Sequence, residues 1–327
     1  MVIPVYNGAD LLSDAIESAL AQTWQAVEVL VVNDGSDDGG HTAGVAARYG
    51  DRIRYFEKEN GGVASALNLG IREMRGEWFC WLSHDDLYLP RRVEASMGWL
   101  ADHPQYRACY SDYRLVGKGL AAIEDVICPW LPREEALRRM MGHHYIGGCT
   151  VTVHRTVFEQ VGVFAEGLRL AQDLEMWLRI LFRFEMGRVP EVLVLTRVHD
   201  GQGSVTAEAR MIREGLGVVI QTLQMRGLPG VTGPLGDPGV RAADRARAFV
   251  HVGDNLVRAR RPDSLTLELY RQAWRAHPTP LNGAWLRMIG WVRAWIADPE
   301  WRILAFRIAP GAVRRVQSWR RRLRGGG

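Results

Sequence analysis

A doubly wound α/β sheet is the fold this sequence predicts, on three observations. Short apolar runs alternate with stretches whose apolar residues recur at the helical period, in units of about 25–30 residues over positions 1–116. That rhythm calls for parallel strands joined by right-handed helical crossovers, and so for a mostly parallel sheet flanked by helices. The runs also end in polar turns, N-D-G-S at 33–36 and S-H-D-D at 83–86. In an open α/β sheet the carboxyl edge is where ligands bind, so acids gathered there point to a ligand. The stretch E-W-F-C-W-L-S-H-D-D-L-Y-L-P at 77–90 is the most informative. Its uncharged run 78–83 reads as a strand buried on both faces. Asp85 and Asp86 follow, two adjacent carboxylates that repel each other and call for compensation. A divalent cation shared with a phosphorylated ligand supplies it, because hard oxygen donors suit Mg or Mn. The competing reading is a solvated turn in which Asp86 caps the helix opened by Pro90.

In chain order, 1–5 is an apolar strand that begins at the first residue, which points to a start upstream of Met1. Asp10 is placed to cap a helix with Leu12, Ala15, Ile16, Ala19 and Leu20 on one face. The run V-E-V-L-V-V at 27–32 is a second strand, followed by Asp38 as a cap and a polar helix to about position 49. A third strand covers 52–56. Asn60-Gly61-Gly62 then opens a helix carrying Val63, Ala66, Leu67, Gly70, Ile71 and Met74 on one side. After the strand at 78–83 come a helix at 90–101 and a strand at 107–116. The pattern weakens over 118–144, broken by Pro129 and Pro132, with a short helix at 133–141. A strand at 147–153, an amphipathic helix starting at Asp173 and a last strand at 190–197 complete the region. The stretch R-G-L-P-G-V-T-G-P-L-G-D-P-G at 226–239 is too rich in glycine and proline for regular structure and reads as a linker. The organisation expected is a catalytic domain at 1–205 (nucleotide side about 1–116, acceptor side about 117–205), a helical connector at 206–225, that linker, and a helical region with a basic tail at 240–327.

Composition narrows the classes. A hydrophobic content of 47% in 327 residues fills an ordinary core. The net charge of +4 belongs to the tail: residues 301–327 hold eight arginines and no acid, which leaves −4 for the rest. The four cysteines form no C-x-x-C pair, which argues for reduced, buried thiols in a cytosolic setting and against zinc. There is no signal peptide and no apolar run of 18 residues, so a cytoplasmic protein is expected. Neither a G-x-G-x-x-G fingerprint nor a Walker loop is present.

The motifs together resemble the family-2 inverting glycosyltransferases of GT-A fold. They are V-I-P-V-Y-N-G at 2–8, V-V-N-D-G-S-D-D at 31–38, N-G-G-V-A-S-A-L-N-L-G-I at 60–71, W-L-S-H-D-D at 81–86, A-Q-D-L-E-M-W-L-R-I at 171–180 and V-P-E-V-L-V-L-T-R-V-H at 189–199. The resemblance covers about residues 2–205 and implies a sugar moved from a nucleotide-diphospho-sugar, a UDP-sugar by preference, to an acceptor hydroxyl. It implies that Pro4, Val5 and Tyr6 wall the base and that Asp34 accepts from base or ribose. Asp85 would contact the ribose or a metal-bound oxygen, and Asp86 would ligate Mn or Mg. His199 matches a histidine near the diphosphate or metal. Asp173 would be the general base, and Trp177 would pack under sugar or acceptor, against the alternative of a core aromatic. Two positions depart from the pattern. Leu67 stands where many relatives place a nucleotide-contacting arginine, and Gln172 where many place a second acid, which leaves Asp173 as the base.

Rival classes fit less well. A processive synthase needs membrane spans and Q-x-x-R-W; a pyrophosphorylase needs an Arg-containing glycine loop at the first strand. A non-catalytic nucleotide-sugar-binding protein of the same fold is the alternative that remains. The Trp/Arg runs at 285–296 and 301–308 read either as helices on an anionic membrane surface, near a lipid-linked acceptor, or as helices packed on the protein. No nucleic-acid-binding module is visible, so the expected partners are the donor, a glycan or lipid-linked acceptor, and a peripheral membrane contact. Cell-envelope or exported polysaccharide assembly is the expected context.

Overall fold

The computed structural model describes residues 1–142, 144–199, 207–228, 232–237, 239–258 and 264–277. They fall into two compact units, one of residues 1–140 and 144–218, the other of the described residues within 141–143 and 219–327.

The first unit begins with three parallel strands, β1 (Val2–Val5), β2 (Leu30–Asn33) and β3 (Arg54–Glu57), in the order β1-β2-β3. Helices α1 (Leu12–Leu20) and α2 (His41–Ala47) connect them, and α3 (Val63–Glu73) follows. β1 and β2 are buried throughout, as uncharged strands between two helical layers must be. α1 covers them with Leu12, Ala15, Ile16 and Ala19. α3 comes closest at Gly70, where a Cβ would stand 2.4 Å from Val2 Cγ1; only glycine lets helix and strand approach so nearly.

β4 (Trp78–Cys80) meets β1 through a parallel bridge between Val2 and Trp81, with the Leu82 N–H donating to the Val2 carbonyl at 3.0 Å. It also starts a second sheet. The elements that follow are β5 (Leu87–Tyr88), α4 (Arg92–Asp102), β6 (Ala108–Val116), β7 (Ala122–Val126), α5 (Arg133–Gly142), β8 (Val151–His154), α6 (Arg155–Val161), α7 (Gln172–Leu181) and β9 (Gly187–Arg197). Their order is β4-β8-β6-β9-β5, with β7 paired to β6. The α/β expectation holds. Its mostly parallel character is confined to β1–β3, the β1–β4 bridge and the β6–β9 pair; β4–β8, β6–β8, β5–β9 and β6–β7 are antiparallel.

Several local expectations change. Asp10 caps nothing: α1 has Leu11 at its N-cap and no side-chain cap. Asp38 does cap, its Oδ2 accepting from the Thr42 amide at 2.9 Å in the first turn of α2. Asp86 is not a helix cap either, because α4 begins at Arg92 with Arg91 at its N-cap. The two-residue β5 intervenes instead, Leu87 pairing with Leu195 and Tyr88 with Val194. Alternation this short carries no sequence signal. The weak region 118–144 holds β7, whose hairpin with β6 is fastened by a bidentate Arg114–Asp125 pair at 2.5 and 2.9 Å. All four cysteines are free and buried.

The second unit takes the end of α8 (Glu208–Arg226), then α9 (Ala242–Arg258) and α10 (Ser264–Ala276). The described part of 226–239 is not the tether its composition suggested. It folds back on α8, with Leu235 N–H donating to Leu223 O at 3.0 Å and Gly236 N–H to Gln224 O at 2.8 Å. Leu228 and Leu235 are buried. The Trp/Arg runs at 285–296 and 301–308 and the basic tail lie outside the described residues. No helix among the described residues is long and apolar enough to cross a membrane.

Candidate active site

The carboxyl ends of β1, β2 and β4 meet in one polar edge. Past β1, Tyr6 and Asn7 turn outward and lock onto the loop after β2. Asn7 Nδ2 donates to Asp37 Oδ1 at 2.6 Å, and Asp37 N–H returns to Asn7 Oδ1 at 3.0 Å. Of the three residues expected to wall a base, Pro4 and Val5 are buried in the strand, and Tyr6 stands 44% exposed at the edge.

Asp34 lies deeper, 3% exposed, and its carboxylate is nearly saturated. Oδ1 accepts from Lys58 Nζ at 2.8 Å and from Gly61 N–H at 3.0 Å; Oδ2 accepts from Gly62 N–H at 2.6 Å. A buried carboxylate needs such donors, and the N-G-G loop supplies two of them from its backbone. Gly62 makes this turn at φ +86°, in the region that favours glycine. One acceptor direction, on Oδ2, is left over.

At S-H-D-D the two carboxylates part. His84 packs on the turn after β1; a Cβ on Gly8 would stand 2.3 Å from its Cδ2. Burial pushes the His84 imidazole below its ordinary pKa, against the raising effect of Asp85 and Asp10, which favours the neutral ring. Asp85 Oδ2 lies 3.1 Å from His199 Nε2, just past the end of β9. Asp86 turns inward, is 5% exposed, and accepts Arg197 N–H on Oδ1 at 3.1 Å. The Arg197 guanidinium, itself buried, donates to Asp85 O at 3.2 Å and to Asp14. Burial, and next the Asp85 charge, push the Asp86 carboxyl up to about 8. Its neighbour Cys149 holds Ser83 through Ser83 N–H···Sγ at 3.2 Å, its own thiol pushed well up by burial.

Asp173 occupies the first turn of α7. Oδ1 accepts Leu174 N–H at 2.7 Å, and Oδ2 lies 3.6 Å from His144 Nε2. Glu175 is committed to Arg179, at 2.6 and 2.7 Å, and is no rival for the base. Trp177 corrects an expectation. It is fully buried, edge-on to Phe164 at 6.0 Å, and so belongs to the core rather than under a sugar. A residue four positions after Asp173 shares its side of the helix, but here that side turns into the protein.

Residues 1–162 match the family described as Glycosyl transferase family 2. Those residues form a domain of that family. An uncharacterized glycosyltransferase of Rickettsia felis is 42% identical over 210 residues, 62% of this chain and 35% of that protein. One of Rickettsia typhi is 41% identical over 212 residues, 63% of this chain and 66% of that protein. The chain thus matches between about a third and two thirds of the length of such relatives. Among solved structures, TarS 1-349 of S. aureus in complex with UDP superposes with a TM-score of 0.54 at 14% identity, covering 84% of this chain and 88% of that one. The mannosyltransferase PcManGT of Pyrobaculum calidifontis, solved with GDP-Man and Mn2+, gives 0.53 at 18%, covering 93% and 81%. At these identities the likeness is one of fold, the GT-A fold.

In this family-2 domain the expected residues divide into two groups. Tyr6 and Asp34 gather on the β1–β2 side; Asp85 and Asp86 lie where the loop after β4 reaches the end of β9, Asp85 against His199 and Asp86 against Arg197. Sequence reasoning missed Lys58, Arg197 and Asp14. Lys58 was within reach of inference, since a buried Asp34 needs a cation and Lys58 ends the third strand. Asp14 and Arg197 lie 183 positions apart and carried no signal.

Proposed function

We propose that the first unit transfers a sugar from a nucleoside-diphospho-sugar to an acceptor hydroxyl with inversion at the anomeric carbon. The observation that carries this reading is the facing pair Asp85 and His199 beside the Asp34 cradle, on the edge where an open α/β sheet takes its ligand. Asp34 accepts an N–H from the base with its remaining lone pair, and Tyr6 borders the base. No cluster of three metal-ligating side chains occurs among the described residues. One carboxylate and one imidazole still fit Mn or Mg, which complete their coordination with water and substrate phosphates. Asp85 and His199 would hold the ion, which when bound stabilises the charge on the departing diphosphate. This moves the ligand role from Asp86 to Asp85. Asp86 is a brace, tying the end of β9, and therefore His199, to the loop after β4.

Asp173 takes the proton of the acceptor hydroxyl as its oxygen attacks the anomeric carbon on the face opposite the diphosphate. With Gln172 beside it and Glu175 held by Arg179, it is the carboxylate of that helix turn with no arginine on it. A UDP-sugar is the donor we favour and a glycan or lipid-linked hydroxyl the acceptor, in envelope or exported polysaccharide assembly at the cytoplasmic face of the membrane. The test is a donor-hydrolysis screen over UDP-, dTDP- and GDP-sugars with Mg and Mn, repeated on Asp173→Asn. The variant should bind nucleotide as the wild type does and lose transfer by about 10³-fold. Undiminished transfer by Asp173→Asn would remove it from the base role, and a protein inert toward every donor would remove the reading.

A further inference from the structure

We propose that Arg169 is a donor-binding residue, its guanidinium donating to a carbonyl of the nucleotide base held at Asp34. The inference rests on the donor site described above. An imide-type base, as in uracil, thymine or guanine, presents an N–H next to a carbonyl. The remaining Oδ2 direction of Asp34 suits the N–H, and the carbonyl then needs a donor at its side. Most of the nearby donors are committed. Lys58 Nζ binds Asp34 and the Glu59 carbonyl, and the Gly61 and Gly62 amides are spent on Asp34. α3 offers no cation before Arg72 in its last turn, and Leu67, on its inner face, is fully buried.

Arg169 comes from a distant part of the chain, four residues before Asp173, and lies across this loop. Its Nη1 would be 2.5 Å from a Cβ on Gly62, so the guanidinium rests on the glycine whose amide holds Asp34. Its one side-chain hydrogen bond among the described residues is long, Nη1 to Asn60 Oδ1 at 3.4 Å. A guanidinium carries five N–H donors, so most remain for a ligand. The backbone behind it is fixed. Glu214 Oε2 accepts both Arg169 N–H at 2.9 Å and Leu170 N–H at 2.8 Å, and Glu214 is itself held by Arg210 at 3.1 Å. An exposed arginine set on a glycine of the donor cradle, with its main chain clamped, is preorganised for binding.

The experiment is calorimetric titration of the full chain, with Mg and with Mn, by UMP, dTMP, GMP and their diphosphates. The best-bound base is then carried to Arg169→Ala and Arg169→Lys. Arg169→Ala should weaken monophosphate and diphosphate by the same factor, about tenfold. Arg169→Lys should fall between, and both variants should melt as the wild type does, since the side chain is exposed. Unchanged affinity in Arg169→Ala overturns this inference alone. So does a loss confined to the diphosphate, which would put the guanidinium on a phosphate. A wild-type protein that binds none of the six overturns the donor site and this inference together.

Discussion

Asp34 and Asp86 are buried to nearly the same depth, 3% and 5% exposed, past the carboxyl ends of β2 and β4, the strands on either side of β1. Their surroundings differ. Asp34 has a lysine and two backbone amides on its oxygens. Asp86 has one backbone amide, from Arg197, and the Cys149 thiol, with a carboxylate beside it. The guanidinium that could have neutralised Asp86 goes instead to Asp14 and the Asp85 carbonyl. Burial alone therefore does not assign a role. In the proposed reading it is the number and charge of the donors that make Asp34 the acid that meets a ligand and Asp86 a brace.

The largest effect should come from Asp34→Ala. It strands Lys58 and two amides, and removing one partner of a buried pair costs about 3–5 kcal/mol. Urea unfolding should show that loss, and nucleotide titration should show no binding by the folded fraction. Lys58→Met is milder, about 1–2 kcal/mol, because Lys58 is partly exposed, at 23%, and the amides remain. It should still raise the nucleotide dissociation constant. If both substitutions prove silent, the Asp34 cradle is not the donor site.

Asp86→Asn should give the smallest effect, and one that depends on pH. With its folded pKa pushed up to about 8, Asp86 holds a proton in the folded state that the unfolded chain releases near 4. The wild-type, metal-free protein should therefore lose stability as pH rises from about 4 to about 8. Asparagine has no such proton, so the variant should lack this part of the slope. Unfolding in chelator at pH 5 and pH 8 reads the difference. An identical slope in both proteins would mean that Asp86 holds no such proton.

Much of the parallel half was legible in the sequence, because uniformly apolar strands and helical periodicity are local signals. The later half was less so. β5 spans two residues and is defined by a partner, β9, far along the chain, while β7 is a short, exposed strand in a stretch broken by prolines. At the site, the acids were legible as residue types at strand ends. The contacts that set Asp85 apart from Asp86 were not, because they depend on where β9 ends: Arg197 N–H reaches Asp86 while His199 reaches Asp85. Trp177 failed for a related reason. Spacing placed it on the same side of α7 as Asp173, but only packing against Phe164 shows that the side is internal.

The division between Asp85 and Asp86 is tested most directly by calorimetric titration of UDP, with and without Mn, on Asp85→Ala and Asp86→Asn. Asp85→Ala should abolish the gain in affinity that Mn gives the wild type, while Asp86→Asn should keep most of it. A Mn-dependent gain that survives in Asp85→Ala and vanishes in Asp86→Asn would contradict the account and return the ion to Asp86.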